Sequence, residues 1–444
     1  MKAVILAAGN GKRVFPLAVN KPKPMFKLLG KPLMEYVVEE LAAAGFKEAV
    51  CVVGHNAEQI KDYFGAKSHG VKISYALQKE AKGMADALAC ARGALGKTDK
   101  FVVVNADDVF EPGLLKAMLA KATSCDAVFA SQPTEETWKF GILDLKGDRV
   151  RRIVEKPDKG KEPSKNAVIG VYILNSDIFR HLAAVPESDS QYEEAIQKMI
   201  DAGGDVRALS YKGFFGSYKL PWDLLRLNEY FLDKQKAFTA KSARISERAV
   251  IKGEHVHIGE GVRVFENAVI EGPCYIGDNA VIGNNALVRG HSSIGAKSVI
   301  GYSTEVKYSV IGENCWTHSA YVGDSVLGDN CSLGAGTITA NFRFDEAHIQ
   351  VEVLGKGKMD SGTNKLGVIM ADNCKTGSNA TIMPGVKVGP HSIVGSGVLL
   401  YKDLAPNKFA MQSKNLMEIR DNTVTLDNKA GEELRKKLLK YAPK

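Results

Sequence analysis

Residues 258–306 read IGEGVRVFENAVIEGPCYIGDNAVIGNNALVRGHSSIGAKSVIGYSTEV and carry an aliphatic residue at every sixth position. A period of six matches neither the 3.6-residue turn of a helix nor the alternation of an ordinary strand. One inward aliphatic residue on each short flat side, with glycine easing the corners, builds a parallel β-helix. The repeating positions are Ile258, Val264, Ile270, Ile276, Ile282, Val288, Ile294, Ile300 and Val306.

The same spacing returns later in the chain. It is interrupted between residues 341 and 366, a stretch rich in Gly, Lys and Asn, and resumes in a second register. A β-sandwich would instead alternate by two and turn about every 8 to 12 residues. We therefore expect a solenoid over residues 245–403. The second register consists of Thr376, Ile382, Val388, Val394 and Leu400.

The first half of the chain alternates apolar runs with helical patterns, which is typical of an α/β sheet. Its opening run, KAVILAA at residues 2–8, indicates a strand buried on both faces. The predicted boundaries are 1–235 for the first domain, 236–244 for a linker, 245–403 for the solenoid and 404–444 for a basic tail with a helix at 432–441. The predicted strands are 2–8, 48–53, 71–76 and 101–105, and the predicted helices are 33–44, 57–64 and 84–93.

Composition narrows the partners. The 444 residues carry a formal charge of +8, but residues 404–444 hold nine Lys/Arg against five Asp/Glu, so half of that excess lies in the tail. This weakens a nucleic-acid interpretation, which needs a basic face interleaved with aromatics. Seven widely spaced cysteines without a C-x-x-C pair argue against a disulfide framework and against a zinc site built from them. No apolar run approaches the ~18 residues of a membrane span, so we expect a cytoplasmic protein that binds neither nucleic acid nor membrane.

The first chemical signal follows the opening strand. Residues 8–13 read AGNGKR, a turn whose glycines let backbone N–H groups approach a phosphate. The third glycine of a dinucleotide fingerprint is Val14 here, and Lys12 is followed by Arg13 instead of the Ser or Thr of a Walker loop. The turn therefore predicts a phosphate site of another kind.

Three segments, LAAGNGKR at 6–13, PL at 16–17 and PKP at 22–24, resemble the opening pattern of the sugar-1-phosphate nucleotidyltransferase family. The resemblance implies that Arg13 and Lys23 are catalytic and bind the nucleotide phosphates. It also implies phosphate contacts at Ala8, Gly9 and Gly11. In-line attack of a sugar phosphate on the α-phosphate builds negative charge, which fixed cations and a metal ion stabilise.

Further positions of the first domain match the same family. Asp107 follows the strand FVVVN, at the strand end where open α/β sheets bind ligands, and the resemblance implies a Mg²⁺ ligand there. Without the resemblance, Asp107 would be an ordinary turn or cap residue. The resemblance also implies that Gln78 and Gly83 bind the base. On the sugar side it implies Gly141, Glu155 for the sugar hydroxyls and Lys156 for the sugar phosphate.

This chain departs from the family pattern at several positions. The usual threonines of the phosphate turn and of the base-binding segment are Lys12 and Met84, and the glycine before the metal-binding Asp is Ala106. Ser217 stands where a further metal-binding carboxylate is expected. A hydroxyl cannot replace that charge, so the departure predicts weaker metal binding.

The solenoid carries a second resemblance. TEVK at 304–307, HSAYVGD at 318–324 and LGAGTITAN at 333–341 are similar to the acetyltransferase half of the bifunctional glucosamine-1-phosphate acetyltransferase and N-acetylglucosamine-1-phosphate uridylyltransferase family. The resemblance implies acetyl-CoA as co-substrate and His318 as general base, because only the free amine of an amino sugar attacks a thioester. Ser332 replaces a sugar-binding Asn. The implied sugar-side residues are Arg289, Lys307, Tyr321 and Asn341, and those lining the acetyl-CoA channel are Ala335, Ser378 and Ser396.

Together these observations predict an α/β, Rossmann-like nucleotidyltransferase domain with a mainly parallel sheet, followed by a left-handed parallel β-helix of hexapeptide repeats. The predicted enzyme acetylates a hexosamine-1-phosphate and transfers a nucleotidyl group from a nucleoside triphosphate such as UTP or dTTP to a sugar-1-phosphate. The resemblance also implies a homotrimer with acetyl-transfer sites between chains. Two alternatives stay open: a nucleotidyltransferase whose β-helix only assembles it, and a non-catalytic scaffold with a degenerate first domain.

Overall fold

The computed structural model describes residues 1–188, 190–413 and 416–423, with residues 432, 433, 435 and 436 of the tail. The chain divides into two compact units. The first unit comprises Met1–Asn10, Pro22–Phe26 and Pro32–Ser217. The second comprises Gly11–Lys21, Lys27–Lys31 and Tyr218–Lys444.

A ten-stranded mixed sheet forms the centre of the first unit. Lys2–Ala7 lies inside the sheet and pairs in parallel with Lys100–Asn105 and Glu48–Val53. Its side chains Ala3, Val4 and Ile5 have no exposed surface, as expected for a strand covered on both faces. In spatial order the strands are Gly141–Lys146, Arg149–Glu155, Val206–Ser210, Ala127–Pro133, Asn166–Asn175, Lys100–Asn105, Lys2–Ala7, Glu48–Val53, Val71–Leu77 and Lys67–Ser68.

The first six helices belong to the first unit, and the last belongs to the second. The three predicted helices are confirmed. The first ends one residue earlier than predicted, the second has the predicted bounds, and the third ends two residues later. In chain order α1 to α7 are Leu33–Ala43, Ala57–Phe64, Met84–Leu95, Leu114–Lys121, Ile178–Ala183, Gln191–Asp201 and Asp223–Lys234. Among the described residues, no helix is both long and apolar enough to span a membrane.

Parallel pairing determines where ligands can bind in the first unit. Lys2–Ala7, Glu48–Val53, Val71–Leu77 and Lys100–Asn105 all run in the same direction, so their carboxyl ends share one edge of the sheet. Loops at that edge are the usual ligand site of open α/β sheets. A short antiparallel pair, Asp108–Phe110 with Phe215–Ser217, follows the central strand Lys100–Asn105.

The second unit contains a parallel β-helix whose coils contribute one short strand to each of three sheets. Face 1 consists of Phe238–Thr239, Val256–Ile258, Cys274–Ile276, Ser292–Ile294, Val310–Ile311, Val326–Leu327, Ile369–Met370 and Lys387–Val388. Face 2 consists of Arg244–Ile245, Arg263–Val264, Val281–Ile282, Val299–Ile300, Trp316–Thr317, Ser332–Leu333, Lys375–Thr376, Ile393–Val394, Lys408–Ser413 and Leu416–Asp421. Face 3 consists of Val250–Lys252, Val269–Glu271, Leu287–Val288, Glu305–Lys307, Tyr321–Gly323, Ile338–Thr339, Thr381–Ile382 and Leu399–Leu400.

The hexad positions form the core of this solenoid. Every aliphatic residue of the first register is fully buried, and so are the four aliphatic residues of the second. The predicted fold class is therefore confirmed, and three flat faces built from hexads agree with the left-handed form of the β-helix. The interruption at 341–366 contains a hairpin of Gln350–Val353 and Gly357–Asp360. The helix predicted at 432–441 lies largely outside the described residues.

Candidate active sites

The phosphate turn begins where the central strand ends. Ala8 is almost fully buried, and a Cβ at Gly54 would lie 2.7 Å from the Ala8 carbonyl oxygen, so the two backbones are in close contact. Gly9 has open space around it, and Gly11 adopts a left-handed φ of 65°. Arg13 is exposed and has no hydrogen-bond partner among the described residues. The turn thus combines open space at Gly9 with an exposed guanidinium at Arg13, two features that suit phosphate binding.

The predicted catalytic lysine and the predicted metal ligand lie together. Lys23 occupies the short helical turn Lys23–Met25, and its ammonium forms an ion pair with the carboxylate of Asp107. Both side chains are only 15% exposed. Because a partly buried ion pair is poorly screened by solvent, each group holds the other in place.

A second carboxylate, which the sequence analysis missed, stands beside Asp107. Asp108 is 2% exposed, and its Oδ2 accepts a hydrogen bond of 2.7 Å from Asn105 Nδ2. Its antiparallel partner is Ser217, so the residue that replaces the family's carboxylate lies next to this strand. The Asp-Asp pair after a buried strand was the available signal. The carboxylates of Asp107 and Asp108 and the hydroxyl of Ser217 all offer oxygen atoms as metal ligands, which fits Mg²⁺.

The predicted base-binding residues also come together. Gln78 is 4% exposed, and its Nε2 donates to the Gly83 carbonyl at 3.1 Å and to Asp86 Oδ2 at 2.7 Å. Gly83 has a left-handed φ of 95° and precedes the first residue of α3. Glycine is favoured there because a side chain would strain this backbone. The turn between Val71–Leu77 and α3 is therefore fixed at the ligand edge of the sheet.

The predicted sugar-side residues face each other across two antiparallel strands. Gly141 pairs with Glu155, and a Cβ on Gly141 would lie 2.9 Å from Glu155 Oε2. Lys156 has a left-handed φ of 44° and its ammonium forms an ion pair with Glu155. Burial raises the pKa of Glu193, and the Glu155 charge raises it further. Glu193, on α6, is thus a carboxylate near this group that the sequence analysis missed.

In the second unit, a compact polar cluster lies at the carboxyl ends of three neighbouring strands in the middle of face 3. Asn341 Nδ2 donates to the Tyr321 hydroxyl at 3.2 Å and also to the Asp324 carboxylate. Lys307 Nζ donates to Asp324 Oδ2 at 3.2 Å. A Cβ on Gly323 would lie 2.6 Å from the Tyr321 hydroxyl, so glycine is needed between them. Two of the predicted sugar-side residues, Lys307 and Asn341, therefore converge on Asp324, and Tyr321 joins them through Asn341.

Asp324 was quoted in a motif but not predicted as a site residue. It is 5% exposed and lies where the hexad spacing shortens: buried positions Val306 to Ile311 and Val322 to Leu327 are five residues apart. That shortening was the signal that could have found it. The remaining predicted residue, Arg289, lies one coil earlier and pairs with Glu305 at 3.0 Å. This hydrogen bond raises the pKa of Arg289 above its usual range.

His318 interrupts a column of glycines. Thr317 aligns with Ile300 in the preceding coil and with Leu333 in the next coil. His318 therefore occupies the position that Gly301 and Gly334 occupy in those coils. The His318 side chain is exposed, and no hydrogen-bond partner for it occurs in the described part of the chain. A general base in this column is therefore accessible, but within one chain it makes no hydrogen bond to the Asp324 cluster.

The predicted acetyl-CoA residues form a neighbouring column. Ala335, Ser378 and Ser396 each follow the glycine column by one residue in successive coils, and their backbones are linked by hydrogen bonds from Asn379 N to the Ala335 carbonyl and from Gly397 N to the Ser378 carbonyl. Both serines are exposed. The departure Ser332 lies on face 2, between Trp316 and Lys375 of the adjacent coils, and does not join the Asp324 cluster.

Comparison with known proteins identifies both halves. Residues 2–223 match a family model described as nucleotidyl transferase, and residues 255–290 and 367–402 match one described as bacterial transferase hexapeptide (six repeats). A protein named Bifunctional protein GlmU from Methanococcus maripaludis (strain C7) is 37% identical over 94% of this chain and 98% of its own length.

A protein named Bifunctional sugar-1-phosphate nucleotidylyltransferase/acetyltransferase from Sulfurisphaera tokodaii is 34% identical over 92% of this chain and 99% of its own length. Among solved structures, a UDP-glucose pyrophosphorylase complexed with UDP-glucose covers 53% of this chain with a TM-score of 0.49 and 27% identity. Both relatives are named as bifunctional and match this chain nearly end to end, and the name of the second gives both activities. Since both family models are also present, the chain belongs to the family of bifunctional sugar-1-phosphate nucleotidylyltransferase/acetyltransferases.

Proposed function

We propose that the first unit transfers a nucleotidyl group from UTP or dTTP to a sugar-1-phosphate and that the β-helix transfers an acetyl group from acetyl-CoA to a hexosamine-1-phosphate. The ion pair of Lys23 with Asp107 at the ligand edge of the sheet supports the first activity. The exposed His318, at a corner where the neighbouring coils have glycine, supports the second. Both activities together would make an acetylated nucleotide sugar.

For nucleotidyl transfer, the cationic residues and the carboxylates have different roles. Arg13 and Lys23 would bind the triphosphate, while Asp107 would hold Mg²⁺ with the adjoining oxygen donors. When bound, Mg²⁺ supplies positive charge at the phosphate oxygens. Glu155 would accept hydrogen bonds from sugar hydroxyls, and Lys156 would neutralise the sugar phosphate, which requires its ion pair with Glu155 to rearrange. Charge stabilisation of this kind is usually the largest contribution to phosphoryl transfer.

For acetyl transfer, His318 would take one proton from the sugar ammonium, and the free amine would then attack the thioester carbonyl. The C–S bond would break as the amide forms; of the two protons lost by the ammonium, one would go to the departing thiolate, which leaves as the free thiol, and the other to solvent. Lys307 and Arg289 are placed on neighbouring coils and would bind the sugar phosphate. Tyr321 and Asn341 would orient the sugar and the acetyl group. The amide N–H groups and hydroxyls of the Ser378 column would line the route of the pantetheine arm.

The acetyl site would be completed by neighbouring chains in a homotrimer. One outward residue from each strand of face 3 aligns in a column along the solenoid, and several of these residues are apolar and exposed, including Val250 at 48%, Ile338 at 45% and Leu399 at 51%. Exposed apolar stripes of this kind mark association surfaces. The seven free thiols support the proposed cytoplasmic location, where cysteines stay reduced.

One experiment tests both activities. Purified protein is assayed with four nucleoside triphosphates against glucose-, glucosamine- and N-acetylhexosamine-1-phosphates, and pyrophosphate and free thiol are measured together. We expect His318→Asn to lower thiol release by about 10²- to 10⁴-fold and leave pyrophosphate release unchanged. Lys23→Ala should instead lower pyrophosphate release and leave thiol release unchanged.

The outcomes separate the alternatives. Pyrophosphate release without thiol release from any hexosamine phosphate would identify a nucleotidyltransferase whose β-helix only assembles it. Absence of both products, in protein that is folded by circular dichroism, would identify a scaffold. Equal loss of both activities in either variant would contradict the division of labour between the two units.

A further inference from the structure

A group of two carboxylates and one imidazole lies outside both candidate active sites. Glu229 and Asp233 are four residues apart on α7, so they share one face of that helix. His291 lies at the β-helix corner that precedes the strand Ser292–Ile294. One ligand atom from each residue, two carboxylate oxygens and an imidazole nitrogen, lies within 4.8 Å of the other two. We refer to these three residues as the α7 triad.

Two hydrogen bonds fix the backbone of His291, which carries the imidazole of the α7 triad. The His291 amide donates to the Pro273 carbonyl at 2.6 Å. The His291 carbonyl accepts a hydrogen bond of 3.0 Å from Nδ2 of Asn228, a fully buried residue of α7. The helix that carries the carboxylates is thus fastened directly to the residue that carries the imidazole, and the three donors keep a fixed spacing.

The carboxylates are oriented as well. Tyr308 donates a hydrogen bond of 2.6 Å to Glu229 Oε2, which leaves the other oxygen of Glu229 for a ligand. Asp233 Oδ1 lies 2.8 Å from His291 Nε2, the nitrogen that a metal ion would use. Outer hydrogen bonds of this kind are the usual support of metal ligands.

We propose that the α7 triad binds a divalent transition-metal ion of the Zn²⁺ class, with Glu229, Asp233 and His291 as its protein ligands. An imidazole nitrogen with two carboxylates suits Zn²⁺ or Co²⁺, whereas Mg²⁺ prefers oxygen donors alone. Three protein ligands leave a fourth position for water. The ion replaces the proton between His291 and Asp233 and links α7 to the β-helix, so it stabilises the folded chain by mass action.

The test uses Co²⁺ as a coloured probe on the full chain. Protein stripped with a chelator is placed in excess Mg²⁺, which fills oxygen-only sites, and is titrated with Co²⁺ while visible absorption is recorded. We expect ligand-field bands that saturate at one equivalent and vanish when Zn²⁺ is added. His291→Asn should abolish them, because asparagine tolerates the left-handed φ of 58° at this corner but is a poor ligand.

A matched control comes from the first unit. His69 also has a left-handed φ, 48°, and lies 2.9 Å from Glu35 Oε1 in a second group of two carboxylates and one imidazole. His69→Asn should leave the bands unchanged, since among the described residues no hydrogen bond fastens the His69 backbone to α1 as Asn228 fastens the His291 backbone to α7. The double variant Glu229→Gln with Asp233→Asn should weaken Co²⁺ binding at least about tenfold, and it serves if His291→Asn does not fold. Absence of saturable bands, or bands that His291→Asn leaves intact, would overturn the proposal.

Discussion

Gly170 is a single residue on which the carboxylate cluster of the nucleotidyl site depends. Its φ is +57°, and an added Cβ would lie 2.7 Å from Asp108 Oδ2 and 2.9 Å from Asn105 Nδ2. Gly170→Ala should therefore cost about 2 kcal/mol or more in unfolding free energy. Gly160→Ala is the control, because Gly160 also has a positive φ, 82°, but no atom within 4 Å of its added Cβ. Equal losses in chemical denaturation would rule out a specific clash with Asp108.

Ser217 is expected to lower the Mg²⁺ affinity of the same site. It pairs with Asp108, beside the proposed Mg²⁺ ligand Asp107, and contributes a hydroxyl in place of a charge. Ser217→Asp should lower the Mg²⁺ concentration for half-maximal pyrophosphate release by on the order of tenfold, since affinity for hard cations rises with ligand charge. Ser217→Asn has a similar size without the charge and should leave it unchanged. Similar Mg²⁺ dependence in both variants would exclude a role for charge at this position.

The residues that could be predicted share a local cause. Asp107 and Gln78 follow buried strands, so their place at the ligand edge depends only on strand direction. Asp324 and Glu193 could not be found in that way. Asp324 reaches the Asn341 side chain because the coil is shortened, and Glu193 approaches Glu155 from a helix that is distant in sequence. Contacts of this kind depend on tertiary packing, which leaves little local pattern.

At the scale of the element, α1 contains an unusual carboxylate. Burial, and to a lesser extent the charge of Glu39, raise the pKa of Glu40 to about 7, while Lys116 opposes the shift. A carboxyl whose folded pKa exceeds its unfolded value stabilises the fold fully below the unfolded pKa of about 4.3 and loses that contribution as the pH rises through 7. Glutamine at this position remains neutral throughout.

Glu40→Gln should therefore gain stability relative to the natural chain as the pH rises. Because Glu40 is only half-buried, solvent screening reduces the effect, and we expect the difference in unfolding free energy to grow by about 1 to 2 kcal/mol between pH 5 and pH 8. Urea denaturation at several pH values measures it. A difference that stays constant with pH would show that Glu40 does not titrate in this range.

Elements were predictable where a period or a run extends over many residues. The hexads gave the buried positions of the solenoid because each coil repeats the same packing problem, and the strand Lys2–Ala7 was evident from its continuous apolar run. The hairpin of Gln350–Val353 and Gly357–Asp360 was not predicted. Its buried residues Val351 and Val353 alternate over only one short strand, and the surrounding Gly, Lys and Asn resemble an ordinary loop.

At the scale of the whole molecule, the column of outward residues on face 3 is the proposed surface between copies. Ile338 and Leu399 lie on either side of Thr381 in this column, and about half of each side chain is exposed. A charge placed in an apolar contact is left desolvated and unpaired, which commonly costs several kcal/mol. The proposed trimer should therefore be sensitive to one such substitution.

Ile338→Glu should dissociate the trimer to monomers, measured by sedimentation velocity, and lower thiol release by at least about tenfold, because His318 makes no hydrogen bond to the Asp324 cluster within one described chain. Pyrophosphate release should stay within about twofold, since Lys23 and Asp107 pair inside a single chain. Leu354→Glu is the control: Leu354 is 49% exposed but lies in the turn of the hairpin, outside the column. Full acetyl transfer by monomeric Ile338→Glu would show that one chain holds a complete acetyl site.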